Sequence, residues 1–312
     1  MINTLEAMLG LIQDTGLAGQ ELIQLAIPES NHCAFAIRTR YDQNLEAWTL
    51  MRSRLEQTGR YPVLVYSWLS NQNWEREVTE NDFFSRFYYQ EERFQGQSQN
   101  TAPEAILARV PQADLATYLA NWQAFEADNL DARVGDALAQ TAARFGRSPT
   151  HSHMQALIQA GTITSLMELE QWLFDWEVQN FKEQQTATPE DLRYLEWFEP
   201  RSSKVLILLP TMHSWGALAY LHWYAACQAT SEVAIAFLQR WHQHYGAELV
   251  GHYGTMLQLQ VAQPPPTPTA AFALAWEQYA LAPYTLQGPG VSIRSHARSL
   301  LSTNQWFLHE RP

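Results

Sequence analysis

Lysine is almost missing from this chain of 312 residues. Lys182 and Lys204 are the only two, so 18 of the 20 basic residues are arginine. Neither lysine stands in a motif, which argues against a Schiff-base lysine or a phosphate-binding lysine. The two cysteines, Cys33 and Cys227, are too few for a disulfide framework or a multi-cysteine metal motif. We therefore expect reduced thiols, no metal site and no cofactor.

Long apolar runs are also missing. The longest candidate, Val205–Leu209, is far shorter than the ~20 residues that a membrane helix requires. The first ten residues lack positive charge and contain Glu6, unlike a secretory signal. Acidic residues outnumber basic ones by 32 to 20, and the net charge of -12 disfavours nucleic acid and anionic lipid as partners. These features predict a soluble cytoplasmic protein whose partner, if it has one, is another protein; its oligomeric state stays open.

Aromatic residues, in contrast, are abundant, with 12 Trp, 13 Tyr and 13 Phe. Most tryptophans fall on apolar stripes with helical spacing and are expected in the core: Trp48, Trp122, Trp172, Trp176, Trp241 and Trp276. Trp215 and Trp223 lie in a denser aromatic segment with His213 and Tyr220. Some of these rings must point away from the core if one helix contains them all, so we predict binding roles for Trp215 and Trp223, with core packing as the alternative.

The N-terminal region has a β-α-β pattern. His32–Thr39 predicts a strand, and Asp42 or Asn44 can cap the helix that follows. Gly59 suits the left-handed turn at the end of that helix, and Tyr61–Trp68 predicts the next strand.

The middle of the chain is polar at first and then helical. Gln95–Ala102 has the composition of a linker. Ser165 and Glu168 form a capping-box pattern at a helix start. Thr188 with Pro189 predicts a second start, because a cap and a first-turn proline favour one.

The C-terminal third returns to alternating elements, in the predicted order β-α-α-β-β-α-α-β. Lys204–Pro210 is continuously apolar after its first residue, as buried strands are. A helix is expected from Ser214 to Ala226, with Ser214 as its N-cap. The fold class is therefore α+β, a mixed sheet flanked by helices, with an all-helical middle region. The predicted regions are 1–75 (N-terminal β-α-β), 76–200 (helical) and 201–312 (C-terminal α+β).

Several motifs of the last third occur together in one order, namely Leu208–Thr211, Tyr245–Val250, Pro264–Pro266, Ala275–Tyr279 and Trp306–Pro312. In this order and spacing the sequence resembles the bacterial family called domain of unknown function 4253. Thr58–Leu64 resembles an N-terminal partner region of longer members. The resemblance implies no activity, because the family has none assigned. Gln278 and Ala282 stand where many members carry a His and some a Cys, which weakens a catalytic interpretation.

Histidine is concentrated after residue 212. His213, His244, His252 and His309 are candidates for binding or catalysis, because neutral imidazole binds metals and moves protons. His242 and His244 point to different sides of one helix, and there is no two-histidine zinc motif, so surface or structural roles remain the alternative.

Acids beside aromatic rings form a second group of candidates. Glu248, Glu277 and Glu310 could have raised carboxyl pKa values if they are desolvated, whereas exposed or salt-bridged carboxylates are the simpler interpretation.

Two functions follow from these patterns. The first is a non-catalytic binding or interaction protein, a regulatory or immunity-type partner, with Trp215, Trp223, His244 and His309 as binding residues. The second is a hydrolase with a site near residues 209–215, for which His213, His252 and Glu277 are the catalytic candidates.

Overall fold

A computed structural model describes residues 1–39, 43–66, 83–84, 100–126, 130–198, 204–223 and 229–310. Cys227 and most of the predicted linker lie outside these residues. In chain order the elements are α1 Leu5–Ile12, β1 Leu22–Ala26, β2 Cys33–Arg38, α2 Asn44–Ser53, α3 Leu55–Thr58, β3 Tyr61–Tyr66, α4 Pro103–Arg109, α5 Leu115–Glu126, α6 Leu130–Phe145, α7 His151–Gln159, α8 Leu166–Asn180, β4 Lys204–Leu209, α9 Ser231–Tyr245, β5 Glu248–His252, β6 Met256–Gln260, α10 Pro268–Leu281, α11 Tyr284–Gln287, α12 Ile293–Leu300 and β7 Gln305–His309. Short 3₁₀ helices cover Val110–Gln112, Lys182–Gln184, Arg193–Phe198 and Ser214–Ala219.

The residues group by contact into two compact units that are discontinuous in sequence. The first unit comprises Met1–Ala113, Phe198–Ala262 and Phe307–Pro312, and the second comprises Asp114–Trp197 and Gln263–Trp306. Each unit is described by itself.

A seven-stranded mixed sheet, in the order β1-β2-β4-β3-β5-β6-β7, contains strands from both ends of the chain. The β1-β2, β2-β4, β3-β4 and β5-β6 pairs are antiparallel, and β3 and β5 are parallel. The α+β prediction is therefore confirmed, and the N-terminal and C-terminal strands share one sheet. The central strand β4 is continuously buried from Val205 to Leu209, as its unbroken apolar sequence predicts.

Local sequence explains how α2 and α3 lead into the sheet. Gly59 ends α3 in the left-handed conformation, with φ 67°, and the chain turns directly into β3. Trp48 of α2 is buried and donates from Nε1 to the carbonyl of Pro62 at 3.0 Å, which fixes α2 against β3. Asn44 is the first helical residue rather than the cap, because its side chain accepts a 2.5 Å hydrogen bond from Thr39.

Two further predictions for the first unit differ from the structure. Strand β1 was not expected; it pairs only with β2 at the edge of the sheet, and its side chains are mostly accessible, so its sequence lacks the signal of a buried strand. The predicted helix after β4 is a 3₁₀ helix from Ser214 to Ala219, and residues 224–228 lie outside the described part. His213, not Ser214, occupies its cap position.

The second unit consists of helices. A buried apolar cluster joins α6, α7 and α8 through Val134, Ala137, Leu138, Met154, Ile163, Leu166, Leu169 and Leu173. The capping box at the start of α8 is confirmed, since Ser165 Oγ accepts from the Glu168 N–H at 3.2 Å. The predicted helix start at Thr188 is wrong. Its hydroxyl donates to Asp191 instead of capping, and turns lead into the 3₁₀ helix that begins at Arg193.

Candidate functional site

Two strands bring polar side chains to one end of the sheet in the first unit, where a third strand ends. Tyr61 opens β3 and lies opposite Leu209, the last residue of the antiparallel strand β4. Glu248 opens β5, which runs parallel to β3. The first residues of β3 and β5 and the last of β4 therefore share an edge, and the turn from Pro210 to Trp215 follows there.

A buried phenol lies at the centre of this edge. Tyr61 is 1% exposed, and its hydroxyl donates to the carbonyl of Leu249 at 3.0 Å. The Ser214 and Arg52 side chains lie near it, and Arg52 Cζ is 5.8 Å from the centroid of the Tyr61 ring. Burial raises the pKa of Tyr61 well above its usual value, and the nearby Glu248 carboxylate acts in the same direction. The phenol is therefore protonated at neutral pH and holds its neighbours in place without acting as a base.

Arg52 and Glu248 form a two-point ion pair beside that phenol. Arg52 Nε donates to Glu248 Oε2 at 2.8 Å, and Nη2 pairs with Oε1. The two side chains are 34% and 20% exposed. The hydrogen bond with Glu248 raises the pKa of Arg52 despite partial burial. Sequence reasoning considered Glu248 but missed Arg52, because nothing in the sequence pairs positions 196 residues apart.

The turn after β4 presents an aromatic pair. The rings of His213 and Trp215 stack with centroids 4.7 Å apart and an interplanar angle of 7°. Met212, just before them, is 44% exposed, and His213 is exposed as well. The Thr211 hydroxyl accepts from the His213 N–H at 3.2 Å and closes the turn. Trp223, the other predicted binding tryptophan, is 8% exposed and belongs to the core.

His252 lies in the core of the same unit. It is fully buried, and Nδ1 accepts from the Gly254 N–H at 3.3 Å. Burial lowers its pKa to about 3, although backbone groups of Leu221 and His222 oppose that shift, so the ring is neutral. His222 is itself 1% exposed and lies near enough to contribute to this shift. The two histidines are therefore both buried, and they lie close together.

The remaining candidates have separate surroundings. His244 is exposed and lies against the ring of Tyr245, so it does not share the buried environment of His252. His309 is 5% exposed in β7. Glu277 is partly exposed on α10 of the second unit.

In the described part of the chain, no group of three or more His, Cys, Asp or Glu side chains could hold a metal ion. No helix of this part is long and apolar enough to cross a membrane.

The fold and this site define an α+β protein with a polar cluster and an aromatic pair at one edge of its sheet. Residues 205–309 match the model of the family described as domain of unknown function (DUF4253), so that family is confirmed for the C-terminal third. The resemblance of Thr58–Leu64 stays a prediction. No curated protein matches the chain. No solved structure matches it either.

Proposed function

We propose that the chain is a binding protein that recognises a protein partner through the turn after β4. The observation that carries this proposal is the stack of the exposed His213 on the partly buried Trp215, with the exposed Met212 beside it. Aromatic residues and methionine are enriched in protein interfaces and provide their main contacts. We call Met212, His213 and Trp215 the aromatic turn.

The support beneath the aromatic turn favours binding. Ser214 is 3% exposed and lies near the buried Tyr61, while the Thr211 hydroxyl accepts from the His213 N–H. Rings fixed in this way lose little conformational entropy when a partner covers them. Rigid aromatic anchors on a preformed base are typical of residues that dominate binding energy.

Charge suggests the kind of partner. Arg52 and Glu248 neutralise each other near the turn, so the net charge of -12 sets the long-range field. Such a field attracts basic surfaces and speeds their association. The expected partner is therefore a protein with a basic surface around an apolar patch.

The test compares two single-residue variants as bait in native lysate. Trp215→Ala removes the larger ring of the aromatic turn, and Leu45→Ala removes another apolar side chain, 50% exposed, on α2 of the same unit. We expect wild type and Leu45→Ala to retain a stoichiometric partner that cross-links near residue 213, and Trp215→Ala to lose it. A monomeric wild-type chain that recovers no stoichiometric partner would contradict the proposal.

The hydrolase alternative rests on the contact between Ser214 and Tyr61 at the strand end. It has less support, because the raised pKa of Tyr61 keeps the phenol protonated and unable to accept the serine proton. Activity screening of wild type against His252→Ala and Glu277→Gln tests it: activity that either variant abolishes would favour the hydrolase.

A further inference from the structure

A cavity in the second unit gathers positive charge. It has a volume of about 530 Å³ and is lined by parts of α6, α8 and the start of α12. Four arginines line it: Arg144, Arg193, Arg294 and Arg298. The whole unit has seven basic residues against fourteen acidic ones, so most of its cationic side chains surround this one cavity. We call it the arginine cleft.

Acidic residues pair with three of these four arginines. Asp191 accepts from Arg144 at 2.7 Å and from the Thr188 N–H at 2.7 Å. Burial opposes ionisation of Asp191, but these hydrogen bonds and one from Ser295 lower its pKa overall. Glu177 pairs with both Arg294 and Arg298. Glu190 also lines the cleft, and Glu170 pairs with Arg294, so four carboxylates stand against four guanidinium groups. Among the described residues, Arg193 is the cleft arginine without a carboxylate partner.

Two arginines keep donors for a ligand. Arg298 is 2% exposed; its Nε donates to Gln185 at 3.3 Å and its Nη2 to Glu177, while among the described residues Nη1 has no acceptor. Because Arg298 lines the cleft, an anion bound there would give this donor an acceptor. Arg193 is exposed on the cavity lining, and its side chain has no hydrogen bond or ion pair within the described part of the chain.

The start of α12 adds to this preference. Ser292 caps the helix and accepts from the Ser295 N–H at 3.2 Å. The backbone N–H groups of Ile293 and Arg294 are in the first turn, where the helix provides no acceptor, and the dipole there is positive. Ser292, Arg294 and Ser295 all line the cleft, so the helix start adds to its positive potential.

A second cavity adjoins the arginine cleft. Its volume is about 490 Å³, and it shares Gln140, Gly290, Val291 and Ser292 with the cleft. Its lining includes Trp276 and Tyr279, whose ring centroids are 5.7 Å apart, together with the charged residues Arg133, Asp136 and Glu170. We call this second space the aromatic cavity. A ligand that spans both spaces needs an anionic head and a flat apolar body.

We infer that the second unit binds a small organic anion. Its phosphate or carboxylate lies in the arginine cleft, and its aromatic part lies in the aromatic cavity. This inference is independent of the proposed protein partner, because its residues belong to the second unit alone.

Calorimetric titration of the full chain tests the inference with four probes: phenyl phosphate, benzoate, inorganic phosphate and the neutral benzyl alcohol. We expect phenyl phosphate, benzoate or both to bind at least about tenfold more tightly than inorganic phosphate, because the ring buries apolar area. Benzyl alcohol should not bind. The inference is overturned if neither aromatic anion binds, or if benzyl alcohol binds as well as they do. Equal affinity for phenyl phosphate and inorganic phosphate would show that the aromatic cavity contributes nothing to binding, and would overturn that part of the inference.

Two charge variants distinguish the arginine cleft from general attraction. Arg193→Gln removes an exposed charge of the cleft and should weaken the anion that binds by about tenfold, the loss of one charged contact. Lys182→Gln removes an exposed charge of the same unit outside both cavities and should keep wild-type affinity. Equal affinities for the two variants would overturn the assignment to the cleft.

A large side chain placed where the arginine cleft meets the aromatic cavity gives a test that does not depend on charge. Val291 lines both spaces, so Val291→Trp should block the aromatic anion. Unchanged binding of phenyl phosphate or benzoate by a folded Val291→Trp variant would contradict the two-cavity arrangement.

Discussion

Glu177 and Arg294 form an ion pair whose side chains are each 2% exposed, and this pair connects α8 to α12 within the second unit. Arg294 also pairs with Glu170 at 2.6 Å and donates to the Ala137 carbonyl at 2.8 Å. Glu177 accepts further bonds from Arg298 and from Thr141 at 2.8 Å. One carboxylate and one guanidinium thus hold three helices by groups that must be satisfied together.

Arg294→Met should destabilise the protein strongly. The substitution leaves Glu170 and Glu177 buried with one cation fewer, and removing one partner of a buried pair costs about 3–5 kcal/mol. Urea unfolding measures the change. Arg133→Met, at an exposed position of α6, is the matched control and should leave the midpoint unchanged. Equal midpoints for both variants would show that the network contributes little.

Stability should fall in mild acid because of His252. Its pKa is about 3 in the folded chain, below the unfolded value of about 6.5. Between these two pKa values, His252 is protonated in the unfolded state and neutral in the folded state. The resulting stability is complete above pH 6.5 and is lost as the pH falls from there towards 3, with a slope of up to about 1.4 kcal/mol per pH unit.

The measurement for His252 is the free energy of unfolding between pH 5 and 7. His252→Asn should reduce its slope by about one proton, while His244→Gln, at an exposed position, should keep the wild-type slope. An unchanged slope in His252→Asn would mean that other groups cause the acid sensitivity.

Replacement of glycine by alanine should have opposite effects on stability at two positions of the first unit. A Cβ atom on Gly216 would lie 2.6 Å from the Thr211 hydroxyl that holds His213, so Gly216→Ala should cost about 1–3 kcal/mol. A Cβ atom on Gly10, in α1, meets nothing within 4 Å. Gly10→Ala should stabilise by roughly 0.5–1 kcal/mol because alanine favours helix. Thermal unfolding of both variants checks the signs.

Gly216→Ala also bears on binding. If the aromatic turn is the contact surface, displacement of Thr211 should weaken partner capture although no ring is removed. Full capture by a folded Gly216→Ala variant would show that the turn tolerates this shift.

Local signals predicted much of the fold. The left-handed Gly59, the capping residue Ser165 and the apolar run of β4 depend on near neighbours in sequence, so the sequence alone predicts them. Strand β1 was not predicted, because the formation of a short edge strand depends on its pairing with β2 rather than on its own sequence pattern.

The site was less predictable for a related reason. His213 and Trp215 could be identified because they are two residues apart. Tyr61 and Arg52 could not, since their roles come from contacts with Leu249 and Glu248 across the sheet. The arginines of the second unit were counted but could not be placed together, because the cleft forms only when α6, α8 and α12 pack.

The interleaving of the two units limits how the gene can be divided. A fragment restricted to residues 205–309 would carry Arg294 and Arg298 without Glu177, and β4 without β2 and β3. Expressed alone, such a fragment should aggregate or be degraded. Recombination that preserves residues 205–309 must therefore also preserve Glu177, which neutralises Arg294 and Arg298, and the strands β2 and β3, which pair with β4.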